Sequence, residues 1–487
     1  MVSEKRECLA VIVSAALLVS AYYLLFEPVW LTGDSPAYMR YGELIREGGD
    51  SSAYIHRSPL YPWLIAPLTY FAEPVAASLA VALNYILLFL AVPFLHAIAS
   101  RLFVWRWQRL LAVALLLFNL PVIYFGYMVL TETLTLLLLF VTLWLLIRHS
   151  EQGSPVTVLL AGISFSLMVL ARFNTLPLLA VIILFIVIDN WFTRRRPHRS
   201  IIYTLLLFLL PPLLILNGYA TYNRVEHDFY GLFPTGGSIL VSRNALISTI
   251  DGSEALSENN RAVYEIFSNA AEEFHKSRDS GGLKGSMSAI DRYNITTRLY
   301  SGFPIYLAAV EPLCIHFGIE RERSGPELSR VLRPFYAELA KEKRGELWEL
   351  RLLSLASSFR SSSGLVTGSN PPVNLDRLPA AFIIFHKLLM FTVKAGVAIA
   401  LLINIVAMFA GKAGYNRVVM AFAMLYIGFL FINFSLALVN DSNRYTFPVE
   451  ALTTVFALWY IISAVRVYRE RAGLIEQRST LIDIFKA

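Results

Sequence analysis

Apolar residues in this chain fall into long uninterrupted blocks, without the alternation of a β-barrel. Ten blocks have about the length a helix needs to cross a bilayer, and lipid leaves helices as the only way to satisfy an unbroken backbone. They cover Cys8–Phe26, Pro74–Leu102, Leu110–Tyr124, Met128–Ile147, Val156–Ala171, Thr175–Phe192, Ile201–Tyr219, Leu378–Ala410, Val418–Val439 and Phe447–Val467. The segment Pro59–Phe71 is apolar but short and holds three prolines, so it reads as an interfacial or re-entrant piece. The pattern predicts an all-α polytopic membrane protein of roughly ten transmembrane helices.

Basic residues set the orientation. Lys5 and Arg6 precede the first block, and the stretch from Arg101 to Arg109 follows the second. Arg148 and His149, the run Arg194 to Arg199, Lys412 with Arg417, and Arg466, Arg469 and Arg471 complete the set. Placing these clusters in the cytoplasm puts both termini there and agrees with the alternation of ten spans. The first block then acts as a retained signal anchor, because it is long enough to span and no small-x-small cleavage site follows it.

Four regions follow. Residues 1–219 form an N-terminal transmembrane module whose first outer loop is 27–74. Residues 220–376 are too long for a plain loop, and helical periodicity in Ser253–Arg278 and Pro334–Phe359 predicts a mainly helical extracytoplasmic domain. Residues 377–467 hold the last three helices, and 468–487 form a cytoplasmic tail.

Composition agrees with a membrane protein. Of 487 residues, 56% are hydrophobic and only 16% are charged, against about 25% charged in soluble domains. The net charge of +7 comes from cations at span ends, so it does not argue for nucleic acid. The two cysteines, Cys8 and Cys314, form no disulfide framework. There is no P-loop, no HExxH, no GxSxG and no CxxC, which removes the usual signatures of ATP-driven transport, zinc and serine hydrolases and thiol redox chemistry.

The topology leaves a short set of ionisable residues at the outer face: Asp34, His56 and Arg57 in the first loop, Glu132, Arg172, and Asp441 with Arg444 beside Asn443. Such groups at membrane level are costly and ordinarily face a cavity or a partner. Each has a bland reading. Asp34, before Ser35-Pro36, suits a helix cap. Glu132 suits pairing with an arginine, and Arg172 suits a snorkelling side chain. The sharper reading joins them in one task. A carboxylate accepts a proton from a hydroxyl, while guanidinium forks hold a lipid-linked phosphate that leaves.

The residues that carry this task resemble the GT-C glycosyltransferases, specifically the bacterial branch similar to protein mannosyltransferases and lipid A aminoarabinose transferases. The pieces are Gly33-Asp34-Ser35-Pro36-Ala37-Tyr38, His56-Arg57-Ser58-Pro59-Leu60-Tyr61-Pro62, Leu130-Thr131-Glu132, Leu170-Ala171-Arg172-Phe173 and Asn443-Arg444-Tyr445-Thr446-Phe447-Pro448. The resemblance implies an inverting transfer of a sugar from a polyprenyl-phosphate donor to an acceptor on the outer side of the plasma or inner membrane. The acceptor class is a glycan, a lipid or a protein. Asp34 would be the catalytic base. Glu132 would position the acceptor or a divalent cation, magnesium or manganese, with Asp34 as a second ligand. Arg57, Arg172 and Arg444 would hold donor phosphate, and Tyr38, His56, Tyr61 and Asn443 would touch substrate. Two departures from the family pattern, Ser58 for a proline and no acidic neighbour at Asp34, count against a protein acceptor. The alternatives are a lipid-linked sugar flippase and a polymerase or ligase of surface glycans.

Overall fold

The computed structural model describes residues 13–20, 34–51, 54–191, 198–233, 256–276, 303–320, 324–357, 380–409, 416–436 and 453–466. All the described elements are helices. Three of them, Glu73–Ala99, Glu132–Gln152 and Ser200–His227, are long and apolar enough to cross a membrane, and six shorter apolar helices accompany them.

Residues 34–70 hold a pair of short helices that pack on each other. Helix α1 (Ser35–Glu47) starts at Ser-Pro and ends at Gly48, whose left-handed φ of 63° lets its N–H reach the Ile45 and Leu44 carbonyls. Prolines then keep the chain from building anything long. Helix α2 (Leu60–Ile65) passes into a 3-10 turn at Ala66–Tyr70, and both pack on α1. The Arg46 guanidinium ties the pieces together by donating to the Thr69 carbonyl.

Helix α3 (Glu73–Ala99) runs through Pro93. The expected span Leu110–Tyr124 is broken instead: α4 (Arg106–Leu117) stops before Asn119, and Pro121 restarts the chain as α5 (Leu120–Gly126). The expected span at Met128 also begins later. Met128–Thr131 is a turn, and α6 is Glu132–Gln152, closed by Gly153 at φ 71°. Helix α7 (Pro155–Ala171) ends where Arg172 becomes extended, and α8 (Leu178–Asp189) follows a 3-10 turn at Phe173–Thr175. Helix α9 (His198–His227) passes through Pro211 and Pro212 and continues beyond Tyr219.

Helices α3, α6, α7 and α9 pack in sequence around one large apolar core. The α7–α9 seam is close. A β-carbon on Gly162 would collide with the Phe208 carbonyl, so only glycine lets these backbones approach. Further along, Phe173 meets Tyr219 with centroids 6.1 Å apart. Residues 173 and 219 lie equally far beyond 162 and 208, so α7 and α9 run parallel and in register.

A second, separate core belongs to α10 (Glu258–Lys276), α11 (Phe303–Phe317), α12 (Ser324–Val331), α13 (Arg333–Glu342) and α14 (Arg344–Ser357). At its centre the rings of Phe267 and Phe335 stack at 5.8 Å. This unit starts at Ser257, whose backbone N–H and hydroxyl donate to Glu338 at 2.8 and 2.7 Å. Helix α14 packs on α16 (Arg417–Leu436), which follows α15 (Ala380–Phe409) and also lies on α8. Gly428 fits there under Leu178 and Val181, where a β-carbon would sit 2.8 Å from each.

Candidate active site

Two carboxylates each meet a guanidinium on neighbouring stretches of chain. Asp34 occupies the cap position of α1 but makes no side-chain cap bond. Its Oδ1 lies 2.6 Å from Arg57 Nη1, and the two side chains are 27% and 19% exposed. The capping role that Ser35-Pro36 suggested is therefore not what the carboxylate does. Arg57 also lies over the Tyr38 ring, 5.6 Å from its centroid.

The second pair is Glu132 and Arg172, 3.1 Å apart, with side chains 0% and 10% exposed. Glu132 sits in the first turn of α6, where unpaired N–H groups favour a negative charge. Arg172 is the residue at which α7 ends. Ion pairing, the plainer of the two readings for Glu132, is what the geometry gives.

One bond joins the two pairs. The Phe173 N–H donates to Ser58 Oγ at 3.2 Å. Because Ser58 follows Arg57 and Phe173 follows Arg172, the two arginines belong to adjacent backbone segments. A buried polar hub supports them from beneath. Asn84, fully buried in α3, accepts from Tyr61 Oη at 3.0 Å and from Thr133 Oγ1 at 3.1 Å, and donates to the Met128 carbonyl at 2.5 Å. Asn84 thereby fixes α2 to the turn that presents Glu132. Tyr61 is fully buried and meets Tyr38 edge-on at 5.9 Å.

Asp34, Arg57, Tyr38, Tyr61, Glu132 and Arg172 thus form one continuous site, and His56 is exposed beside it. Each acid has its own arginine. Asn443 and Arg444 lie outside the described residues. Asn84, Phe173 and Ser58 were not among the expected site residues. A polar asparagine within an otherwise apolar span was the available signal for Asn84.

Among the described residues no three His, Cys, Asp or Glu side chains come together. Asp34 and Glu132, the two expected ligands, are each matched by a guanidinium instead.

Residues 56–215 match the family model of dolichyl-phosphate-mannose-protein mannosyltransferases. That segment holds Arg57, Tyr61, Glu132 and Arg172 and leaves out Asp34. No curated protein matches the chain at a significant level. Among solved structures, the archaeal oligosaccharyltransferase AglB from Archaeoglobus fulgidus, in complex with an inhibitory peptide and a dolichol-phosphate, superposes with a TM-score of 0.50 and 14% identity. The alignment covers 98% of this chain and 53% of that one. A second A. fulgidus oligosaccharyltransferase structure, tethered with an acceptor peptide containing the NVT sequon, gives 0.50 and 14% over 97% and 52% of the two chains. ArnT from Cupriavidus metallidurans bound to undecaprenyl phosphate matches at 0.33 and 14% over 90% and 77%, a likeness too remote to argue from. The fold is that of the GT-C membrane glycosyltransferases, and this chain spans about half the length of AglB.

Proposed function

We propose that the protein is an inverting glycosyltransferase that moves a sugar from a polyprenyl-phosphate donor to an acceptor hydroxyl at the extracytoplasmic face. The reading rests chiefly on the paired acid–arginine site held together by Ser58 and Phe173. The match to a family of polyprenyl-phosphate-dependent transferases supports it. The positions of the basic clusters, read as cytoplasmic, are in keeping with a site on the opposite side.

In the mechanism, the acceptor oxygen attacks the anomeric carbon from the side opposite the phosphate. The bond from that carbon to the phosphate oxygen breaks, and polyprenyl phosphate leaves with the electron pair. Asp34, the more exposed acid, takes the hydroxyl proton. Arg57 is within reach of both Asp34 and the same wet face. It passes from the carboxylate to the donor phosphate and offsets the charge that grows on the leaving group. Glu132 and Arg172 act from below. Their pairing keeps the turn at Phe173 fixed, and through Ser58 it keeps Arg57 in place.

The test is a reconstituted assay with polyprenyl-phosphate-linked sugars on the outer face. Release of polyprenyl phosphate with an inverted glycosidic product is expected, and Asp34→Asn should lose it while remaining folded. Donor crossing the bilayer with its glycosidic bond intact would replace the transferase with a flippase. Preference for a diphosphate donor would favour a glycan polymerase or ligase.

A further inference from the structure

Beside the ion pairs lies a stair of aromatic rings that the proposed chemistry does not use. It begins in the loop after α1, where Tyr54 stacks on Tyr41 at 6.0 Å and 25°. The Tyr41 side chain is hydrogen-bonded to Tyr219 on α9, and burial pushes its phenol up to about 12, so it stays protonated. Tyr219 stacks on Tyr222 at 6.1 Å and 22°. Tyr222 in turn meets His227 edge-on at 6.0 Å. The lower steps are buried, but 45% of Tyr222 is exposed, and Tyr54 is partly so.

The stair is continuous with the ion-pair site, because Tyr219 also packs on Phe173, whose N–H holds Ser58. It is also rigid. Asn223, fully buried, donates to the Gly231 carbonyl at 2.7 Å and turns the chain back along α9. On that return Phe233 stacks on Phe173 at 5.2 Å.

Its charge has the opposite sign to that of a phosphate site. Asp50 and Glu226 both act electrostatically on His227, and Glu226 acts on Tyr222 as well. Partly exposed rings with two carboxylates in electrostatic reach suit a neutral polyhydroxylated ring: the aromatic rings take its C–H side and the carboxylates accept from its hydroxyls. The same carboxylates disfavour an anionic headgroup. We infer that this ledge, Tyr54, Tyr222 and His227 with Asp50 and Glu226, is a carbohydrate subsite that holds a pyranose ring of a glycan acceptor next to the donor phosphate. The word acceptor rests on the transferase reading; the binding of a sugar ring does not.

Saturation-transfer NMR on the full chain in phosphatidylcholine nanodiscs tests it. The probes are methyl α-glucopyranoside, methyl α-mannopyranoside and methyl α-galactopyranoside. Transfer to the ring protons of at least one probe is expected. It should weaken roughly twofold to tenfold in Tyr222→Ala and in Tyr54→Ala, and vanish in the double variant. Tyr222→Phe, which keeps the ring face, and Arg101→Ala, far along the chain, should retain it. No transfer from any probe, or equal transfer in the double variant, would overturn the subsite. Sugar binding by a protein that never releases polyprenyl phosphate would uphold the ledge and remove the transferase reading.

Discussion

The two acid–arginine pairs are alike in chemistry and opposite in setting. Asp34 and Arg57 meet just ahead of two short helices, with a quarter or so of the Asp34 side chain still open to solvent. Glu132 and Arg172 meet between the ends of two packed helices, and no part of the glutamate side chain is exposed. A partly wet pair exchanges partners at small cost, because water takes over whichever group is released. A buried pair does not, since parting it strands a charge in a medium that cannot solvate it. On the proposed mechanism the same residue types divide the work: one pair would react and the other would hold the frame.

The contrast can be broken at several points. Asp34→Asn should reduce sugar transfer by roughly 10²–10⁴-fold while leaving the thermal midpoint close to the parent. A loss of folding in step with activity would make Asp34 a structural residue. Arg172→Leu should cost about 3–5 kcal/mol of stability, because the buried Glu132 loses its guanidinium. The double change Glu132→Gln with Arg172→Leu should recover much of that cost, measured by thermal unfolding in detergent. Equal damage in both would mean that the pair is not the cause. A third pair sharpens the scale. Arg101 grips Glu151 through two bonds of 2.7 and 2.9 Å, but both side chains are substantially exposed. Arg101→Ala should cost only about 0.2–1 kcal/mol.

The smallest effect concerns a carboxylate with neutral partners. Hydrogen bonds from Asn260 and then from Ser257 hold Glu338 below the usual glutamate range. A depressed folded value means that its stabilisation is complete above the unfolded carboxylate pKa and disappears as pH falls through the folded one. Amide protection at the start of α10 should therefore drop on acidification. Glu338→Gln should remove that pH dependence, as read by hydrogen exchange.

Much of this was legible along the chain, for identifiable reasons. Block length and apolar content mark α3, α7 and α15 to within a few residues, because lipid exposure demands continuous hydrophobicity. The break at Asn119 was signalled by Pro121, yet the apolar run hid it. Helix α9 runs past Tyr219 because its polar final turns are stabilised by Tyr41, Asn223 and the returning chain, none of which local pattern reveals. At the site, charge on the outer face pointed to Asp34, Arg57, Glu132 and Arg172. Which acid meets which arginine depends on the Ser58–Phe173 contact, and two residues that far apart in sequence carry no mark of their meeting.

The missing side chain at Gly162 has a consequence for how a substrate could be gripped. With α7 and α9 locked backbone to backbone, the wall that carries Arg172 and Tyr219 behaves as a fixed jaw. Facing it, residues 34–51 and 54–58 carry Asp34 and Arg57 on short pieces of chain. Ser58 and Tyr41 tie that segment to Phe173 and Tyr219 of the wall, so an incoming ligand meets a preset spacing between the two acid–arginine pairs.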